Sequence, residues 1–321
     1  MSALGISATS ARAFDDHAAR LNKTVDAIGQ IILGKEHAIR LALAAMVARG
    51  HVLIEDVPGV GKTTLAQVFA RALGLDFQRI QFTSDLLPAD LLGVSVFEKN
   101  TGEFQFRQGP VFTQLVLADE INRATPKTQS ALLEAMEERQ VTLDGETRAL
   151  PAPFFVIATQ NPSHQLGTFA LPESQLDRFL IRLVLGYPDH SAERALLSGR
   201  DRRELLDAIE PTISPDQILS AQQIVPDVHT AEALLDYVQQ LLRFTRESGD
   251  FRVGLSPRAG LGLLRVAQAW ALLAGRDHVL PEDIQTVLPS TVGHRLQSAR
   301  LGTEPAPEEL VAQLIEHVPI P

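Results

Sequence analysis

One loop in the first quarter of the chain limits the possible folds more than any other feature. The apolar run Val52-Leu53-Ile54 leads into Asp56-Val57-Pro58-Gly59-Val60-Gly61-Lys62-Thr63, and a helical stretch, Thr64–Leu73, follows. A strand, a glycine-rich loop ending in Lys-Thr and a helix, in that order, are typical of a loop that wraps phosphate groups. Glycines let backbone N–H groups approach phosphate oxygens closely. The pattern favours a nucleoside triphosphate site over a chance Gly-Lys-Thr turn.

The residues of this loop have distinct predicted contacts. Lys62 supplies a mobile positive charge to the β- and γ-phosphate oxygens, and Thr63 supplies a hydroxyl ligand to Mg²⁺. The helix that follows directs its positive N-terminal end at the phosphates. The usual pattern opens with glycine, whereas this loop opens with Asp56. The predicted phosphate-binding residues are Pro58, Gly59, Val60, Gly61, Lys62, Thr63 and Thr64.

A second apolar run, Leu115–Ala118, ends in two acids, Asp119 and Glu120, about sixty residues after the loop. We expect Asp119 to share the Mg²⁺ shell with Thr63, through water, and to bind the nucleotide with the loop. Glu120 is the candidate to orient and deprotonate the attacking water. Many strands end in solvated acids, so the pair alone is weak evidence, and its place after the phosphate loop strengthens it.

The next apolar run, Phe155–Ala158, ends in Thr159-Gln160-Asn161-Pro162. Polar residues at the carboxyl end of a central strand lie beside the ligand crevice of an open α/β sheet. Asn161 is therefore a candidate to hydrogen-bond the γ-phosphate or the attacking water. The competing interpretation is a turn-forming Asn-Pro pair.

Strand-length apolar runs alternate with helical stretches through the first 190 residues. Without in/out alternation, such strands indicate a parallel sheet covered on both faces. Two interruptions, Val94–Phe106 and Val141–Leu150, predict β-hairpins, the second with an Asp-Gly turn. They are either plain surface hairpins or loops that touch a partner. The predicted core strands are His51–Ile54, Gln78–Gln81, Val116–Asp119, Phe154–Ala158 and Leu180–Val184.

The pattern changes after Tyr187-Pro188, and only helical signals follow. Ser214-Pro215 and Ser256-Pro257 have the form of an N-cap followed by the first helical residue. We therefore predict an α/β core over residues 1–190 and a helical domain over 191–321. Residues 1–30 form an N-terminal extension of the core, predicted to be helical from about Phe14.

Composition excludes several classes of protein. The 321 residues include no cysteine, which excludes disulfides and thiolate sites and fits a cytoplasmic location. We find no apolar run long enough for a transmembrane segment and no signal peptide. The formal net charge of −10, without a basic block, argues against binding nucleic acid through its phosphates.

Five segments together resemble the MoxR family of AAA+ ATPases: Leu53–Thr64, Gln81–Gly93, Gly109–Glu138, Ile157–Asn161 and Leu171–Leu180. The run Leu115–Glu138 is the most distinctive, and the resemblance covers roughly residues 30–295. It implies a three-layer αβα P-loop core with a parallel sheet and two β-hairpin insertions. An all-helical lid follows that core in the family.

The resemblance also implies roles for single residues. Asn161 corresponds to the polar residue called sensor 1, and Arg178 to the arginine finger that enters the neighbouring subunit's site. Arg258 corresponds to the sensor 2 arginine of the lid. The segment that packs against adenine corresponds to Ile32–Gly34, which adds Gly34 to the nucleotide-binding residues.

The family resemblance implies an ATPase that uses ATP and Mg²⁺ and forms a ring, with six subunits expected. Its implied work is chaperone-like remodelling of a protein client, or insertion of a metal cofactor, with a partner bearing a von Willebrand factor A domain. A nucleic-acid motor or transcription-activator ATPase is the main alternative. A binding module that barely hydrolyses ATP and a small-molecule kinase are further alternatives.

Overall fold

A computed structural model describes residues 8–161, 169–198, 202–299 and 305–320. Its centre is a parallel sheet of five strands, and each predicted core run overlaps one of them. These strands are β1 (Val52–Glu55), β2 (Phe77–Gln81), β5 (Leu115–Asp119), β8 (Phe155–Gln160) and β9 (Ile181–Leu183). They lie in the order β2-β5-β8-β1-β9, with every pair parallel.

The register of the sheet brings the ends of its central strands level. Leu53 of β1 and Ala118 of β5 both pair with Ala158 of β8. The carboxyl ends of these strands therefore open on one edge, where an α/β sheet binds its ligands.

Helices cover both faces of the sheet, which confirms the predicted three-layer core. On one face Phe69 stacks on Phe155. On the other, Leu132, Leu133 and Met136 are buried in a separate apolar cluster, as their helical spacing predicts. The helices of this part are α2 (Glu36–Val47), α3 (Lys62–Ala72), α4 (Pro88–Leu92), α5 (Pro126–Glu138) and α6 (Glu173–Leu176).

Both predicted hairpins are present. The first pairs β3 (Gly93–Glu98) with β4 (Glu103–Gln108), and the second pairs β6 (Gln140–Leu143) with β7 (Glu146–Ala149). Asp144 and Gly145 both have positive φ, as the predicted two-residue turn requires. The Ser95 hydroxyl donates to Asp144 Oδ2 at 2.5 Å, so the two hairpins are linked. Contact with a partner stays a prediction.

Every helix or strand described after residue 189 is a helix, which confirms the predicted helical lid. Ser214 Oγ accepts from Gln217 N at 3.3 Å, and Ser256 Oγ accepts from Ala259 N at 3.1 Å, so both predicted N-caps are present. The helices are α7 (His190–Ser198), α8 (Arg202–Asp207), α9 (Pro215–Ile224), α10 (Glu232–Glu247), α11 (Pro257–Leu273), α12 (Pro281–Val292) and α13 (Pro307–His317).

The N-terminal helix differs from its prediction. Helix α1 spans Ala8–Gly29 and so begins before Phe14. It also contacts the second part of the chain, because Asn22 Nδ2 donates to Leu273 O at 2.8 Å. A boundary near residue 190 stays a prediction, and residues 1–7 and Pro162 lie outside the described residues. Among the described helices, none combines the length and apolar character needed to cross a bilayer.

Candidate nucleotide site

The phosphate loop connects β1 to α3 at the open edge of the sheet. Gly59 and Gly61 have φ of 88° and 94°, which L side chains rarely adopt, and a Cβ at either would meet nothing within 4 Å. Gly61 is also the N-cap of α3 and offers no side chain to the free N–H groups of the first turn. The loop thus leaves open space and unpaired donors at a helix N-terminus, where an anion binds.

Lys62 is buried at the first position of α3, with 8% of its surface exposed. Its Nζ donates to Asp56 O at 2.5 Å and to Asn161 Oδ1 at 3.2 Å. Burial lowers the pKa of Lys62, while the carboxylates of Asp56, Asp119 and Glu120 oppose that change. The ammonium therefore lies inside the site, bound to neutral oxygens that phosphate oxygens can replace.

Asp119 ends β5 beside the loop, nearly buried. Its Oδ1 accepts from Thr159 Oγ1 at 2.6 Å, and its Oδ2 accepts from Arg79 Nη2 at 2.7 Å. No group of three or more His, Asp or Glu that could hold a metal ion occurs in the described residues. Asp119 and Thr63 supply hard oxygen donors, and the phosphates and water would supply the rest. That donor set fits Mg²⁺, which keeps several waters and takes few protein ligands.

Glu120 is held at the end of β5 by polar groups from three directions. Its Oε1 accepts from Asn161 Nδ2 at 3.0 Å, and its Oε2 accepts from Gln81 Nε2 at 3.2 Å and Arg123 Nη1 at 2.9 Å. Its φ of 56° is unusual for a residue other than glycine. Such backbone strain is concentrated at functional sites.

Asn161 connects the lysine to the glutamate. Its amide oxygen faces Lys62 Nζ and its amide nitrogen faces Glu120 Oε1, and only 6% of the residue is exposed. Asn122 Nδ2 donates to the backbone oxygen of Asn161 at 3.2 Å. The structure therefore brings together Lys62, Asp119, Glu120 and Asn161, as the sequence predicts, while their chemical roles stay predictions.

Sequence reasoning missed four residues that hold these side chains: Arg79, Gln81, Arg123 and Thr159. Arg79 and Gln81 alternate along β2, so they lie on one face of the strand. This alternation was the available signal. Their acidic partners cannot be assigned without the pairing of β2 with β5, which sets Gln81 opposite Asp119.

An apolar cavity of about 430 Å³ adjoins the phosphate loop. Ile32 and Leu33 form one wall, as expected for the segment predicted to face adenine. Gly34 has φ of 70°, and a Cβ there would lie 3.2 Å from Asp189 Oδ2. Glycine therefore allows the N-terminal segment to pass close to the end of the core. The other lining residues are Lys35, Gly59, Val60, Gly61, Thr64, Tyr187, Pro188, Glu193, Leu196 and Leu197.

Arg178 and Arg258 lie apart from the phosphate loop. They line a separate cleft of about 420 Å³, and no loop residue belongs to the described lining of that cleft. Arg258 Nη2 donates to Glu137 Oε2 at 2.5 Å. Four more arginines make this cleft strongly positive: Arg49, Arg139, Arg265 and Arg295.

Arg295 ties the neighbourhood of Arg178 to the helical part of the chain. It follows α12, and its Nε donates to Asp177 Oδ1 at 2.7 Å while its Nη2 donates to Phe179 O at 2.8 Å. Burial lowers the pKa of Arg295, and Asp177 opposes that change. The residues on both sides of Arg178 are therefore bound by one guanidinium group.

Comparison with known proteins agrees with this geometry. Residues 51–181 match the model of the ATPase family associated with various cellular activities (AAA), and residues 243–316 match the AAA lid domain. The chain is 38% identical to chaperone MoxR1 of Mycobacterium tuberculosis, over 94% of this chain and 82% of that protein. The chain belongs to the MoxR family of AAA+ ATPases. Nucleotide binding is a general property of that family.

Other relatives extend the likeness along this MoxR-family chain. The uncharacterized protein YeaC of Bacillus subtilis is 48% identical over 86% of each protein. A crystal structure of a candidate ATPase from Cytophaga hutchinsonii has 35% identity and a TM-score of 0.86, with 97% of each chain covered. The MoxR-type fold is therefore shared along nearly the whole chain.

Proposed function

We propose that this MoxR-family chain binds Mg-ATP, hydrolyses it to ADP and phosphate, and uses the energy to remodel another protein. One observation carries the proposal. The Asn161 side chain bridges Lys62, the candidate phosphate ligand, and Glu120, the candidate base, at 3.2 and 3.0 Å. A triphosphate bound in the loop would thus have its terminal phosphate beside a carboxylate that can activate water.

Each residue has a separate part in the reaction. Lys62 leaves the oxygen of Asp56 and donates to β- and γ-phosphate oxygens. Glu120 accepts a proton from water as the water oxygen bonds to the γ-phosphorus and the bond to the β,γ-bridging oxygen breaks. Asn161 orients both groups. Thr63 and Asp119 would hold Mg²⁺, which neutralises charge on the phosphates when bound.

Arg178 and Arg258 support a site shared between subunits. Both lie in a cleft whose described lining contains no phosphate-loop residue, which supports action on a neighbouring subunit's site. A permanently charged, planar guanidinium suits the γ-phosphate of a neighbour. Head-to-tail contacts of this kind close into a ring, for which the family leads us to expect six subunits.

The name of chaperone MoxR1 supports a protein client for this chain as well. The acidic net charge of −10 also fits a protein client better than a nucleic acid. We propose remodelling or assembly of a client, including insertion of a metal cofactor. A partner protein with a von Willebrand factor A domain would deliver the client, together with the linked hairpins of this chain. Affinity capture with Glu120→Gln protein in ATP should retain client or partner.

Steady-state hydrolysis tests the catalytic assignment. Glu120→Gln should keep ATP binding and lower turnover at least about 100-fold, because it removes the general base. Lys62→Ala should lose ATP binding itself, measured by calorimetry with and without Mg²⁺. Glu134→Gln on the exposed face of α5 makes the same chemical change outside the site and should match the wild type. Unchanged turnover in Lys62→Ala would contradict the proposed mechanism.

A further inference from the structure

Asp56 is the one departure from the usual phosphate-loop pattern, and its buried carboxylate accepts three hydrogen bonds. Only 7% of the residue is exposed. Its Oδ2 accepts from Leu185 N at 2.7 Å and from Gly186 N at 2.6 Å, and its Oδ1 accepts from Val57 N at 2.8 Å. Three backbone donors on one buried carboxylate form charge-assisted hydrogen bonds. A glycine at this position could accept none of them.

The backbone of the same residue reaches the reactive groups. Asp56 O accepts from Lys62 Nζ at 2.5 Å, and Asp56 N donates to Gln160 O at 3.3 Å, next to Asn161. Asp56 is thus bonded on one side to the phosphate-binding lysine and on the other to Leu185 and Gly186.

Leu185 and Gly186 belong to the connection between β9 and α7, which we call the strap (residues 184–189). Gly186 has a φ of 62°, which favours glycine, whereas a Cβ there would meet nothing within 4 Å. The position therefore favours glycine because of the backbone turn and not because of crowding. Tyr187 and Pro188 of the strap line the apolar cavity beside the phosphate loop. Lys35 Nζ donates to Tyr187 O at 2.7 Å. The strap therefore touches the cavity proposed to hold adenine, and it leads into the helical part of the chain.

We propose that Asp56 is a positioning residue that couples occupancy of the phosphate loop to the strap. When a triphosphate draws Lys62 away from Asp56 O, the first turn of the loop changes its hydrogen bonding. The carboxylate of Asp56 passes that change to Leu185 and Gly186, and so to the direction in which α7 leaves the core. The coupling rests on the proposed ATP binding, and it gives the acidic residue a use that glycine cannot supply.

A distance measurement across the strap tests this coupling. The chain has no cysteine, so Glu134→Cys on α5 and Ala195→Cys on α7 accept a donor and an acceptor dye without background labelling. In the otherwise wild-type full chain, a non-hydrolysable ATP analogue with Mg²⁺ should change the energy transfer. Asp56→Gly should bind the analogue within about 5-fold of the wild-type dissociation constant but lose most of that change, because its loop stays open to phosphate.

Two further variants keep the test decisive. Asp56→Asn has the shape of the native side chain but turns an amide N–H₂ toward at least one of the three donors, so its change in energy transfer should be intermediate. It also replaces Asp56→Gly if the glycine variant does not fold. Glu55→Gln is the matched control, because Arg182 Nη1 donates to Glu55 Oε2 at 2.9 Å and joins the neighbouring residues of β1 and β9 without touching the strap. This control should keep the full change.

The outcomes separate this inference from the proposed function. No analogue binding by the wild type would overturn both. Analogue binding by the wild type, with the same energy-transfer change in Asp56→Gly and Asp56→Asn, would overturn only the role of Asp56. Analogue binding by the wild type without any change would also overturn the coupling, since no movement of α7 would exist. Loss of the change in Glu55→Gln as well would assign the effect to strand pairing instead.

Discussion

His51 lies at the start of β1 with 4% of its surface exposed and both ring nitrogens bonded. Nδ1 accepts from Val156 N at 3.0 Å, so Nε2 carries the proton and donates to Met136 O at 3.2 Å. Burial lowers the pKa of His51 from 6.5 to about 4. Although His51 lines the arginine-rich cleft, its bonds join β1, β8 and the end of α5, and its role is structural.

Stability should therefore depend on pH through His51. The unfolded chain binds this proton below about pH 6.5, whereas the folded chain binds it only near pH 4. The free energy of unfolding should therefore fall as the pH is lowered from about 6.5 to about 4. The loss should level off below pH 4 at about 3 kcal/mol. Urea unfolding at several pH values should show a smaller slope for His51→Gln, whereas His190→Gln, on the surface, should keep the wild-type slope. Equal slopes in His51→Gln and wild type would contradict the assignment.

At the level of residues, the order of strands along the chain predicted which residues meet in the site, but not which hydrogen bonds they form. Lys62, Asp119, Glu120 and Asn161 lie at or just after the ends of three parallel strands, and such strands end at one edge, so their meeting could be predicted. Arg79 and Thr159 could not be assigned to Asp119, because side-chain partners across strands depend on register. Asp56 was visible as a departure, but two of its three donors lie about 130 residues away in the sequence.

At the level of elements, the first hairpin depends on two glycines at its base, Gly93 and Gly109. A Cβ on Gly109 would lie 2.2 Å from Leu91 O and 2.5 Å from Gly93 N, both backbone atoms that cannot move aside easily. Gly93 has φ of 101° and pairs with Gln108. The hairpin therefore leaves the core at a point where only glycines fit.

Gly109→Ala should destabilise the protein by about 1–3 kcal/mol, since the added methyl group is forced against backbone. Chemical denaturation measures this directly. Gly29→Ala, at the end of α1, is the matched control, because its Cβ would meet nothing within 4 Å. The control should be neutral or slightly stabilising. A Gly109→Ala protein as stable as the wild type would mean that the base of the first hairpin can open to make room for the added methyl group.

The existence and type of most elements could be predicted, because apolar runs, Asp-Gly turns and Ser-Pro caps are local signals. The start of α1 could not be predicted as well, since the polar, Ala-rich sequence before Phe14 carries no apolar periodicity. The packing of α1 against α11 joins segments about 250 residues apart. Contacts of that range have no local signal.

On the scale of the whole molecule, the candidate phosphate ligands and the candidate trans arginines occupy separate clefts. The family resemblance implied that Arg178 acts on a neighbour, but it did not show that Arg258 shares its cleft. That arrangement depends on where α11 begins relative to α5, as the bond between Arg258 and Glu137 shows.

Mixed assemblies should reveal a shared site. Arg178→Ala should bind ATP normally and lose turnover by about 10³-fold or more, as for other arginine fingers. Lys62→Ala should be inactive for a different reason. When the two inactive proteins are mixed, interfaces that join an intact loop to an intact arginine should regain activity, measured as phosphate release against mixing ratio.

Mixing Lys62→Ala with Glu120→Gln gives a useful comparison. Both changes lie in the same cleft of one chain, so no interface of this mixture combines an intact loop with an intact glutamate, and no activity should return. Full activity in a proven monomer, with no recovery in any mixture of Arg178→Ala and Lys62→Ala, would exclude a shared site.

The bond between Arg295 and Asp177 would link neighbouring sites of a ring. Arg295 lies beyond α12 and grips the residues on both sides of Arg178, so a turn of one subunit's helical domain would shift the guanidinium it offers to the next subunit. Hydrolysis in one subunit would then be felt at the site of the neighbour that receives its arginine, and by linkage that neighbour's site would act back through the same bond.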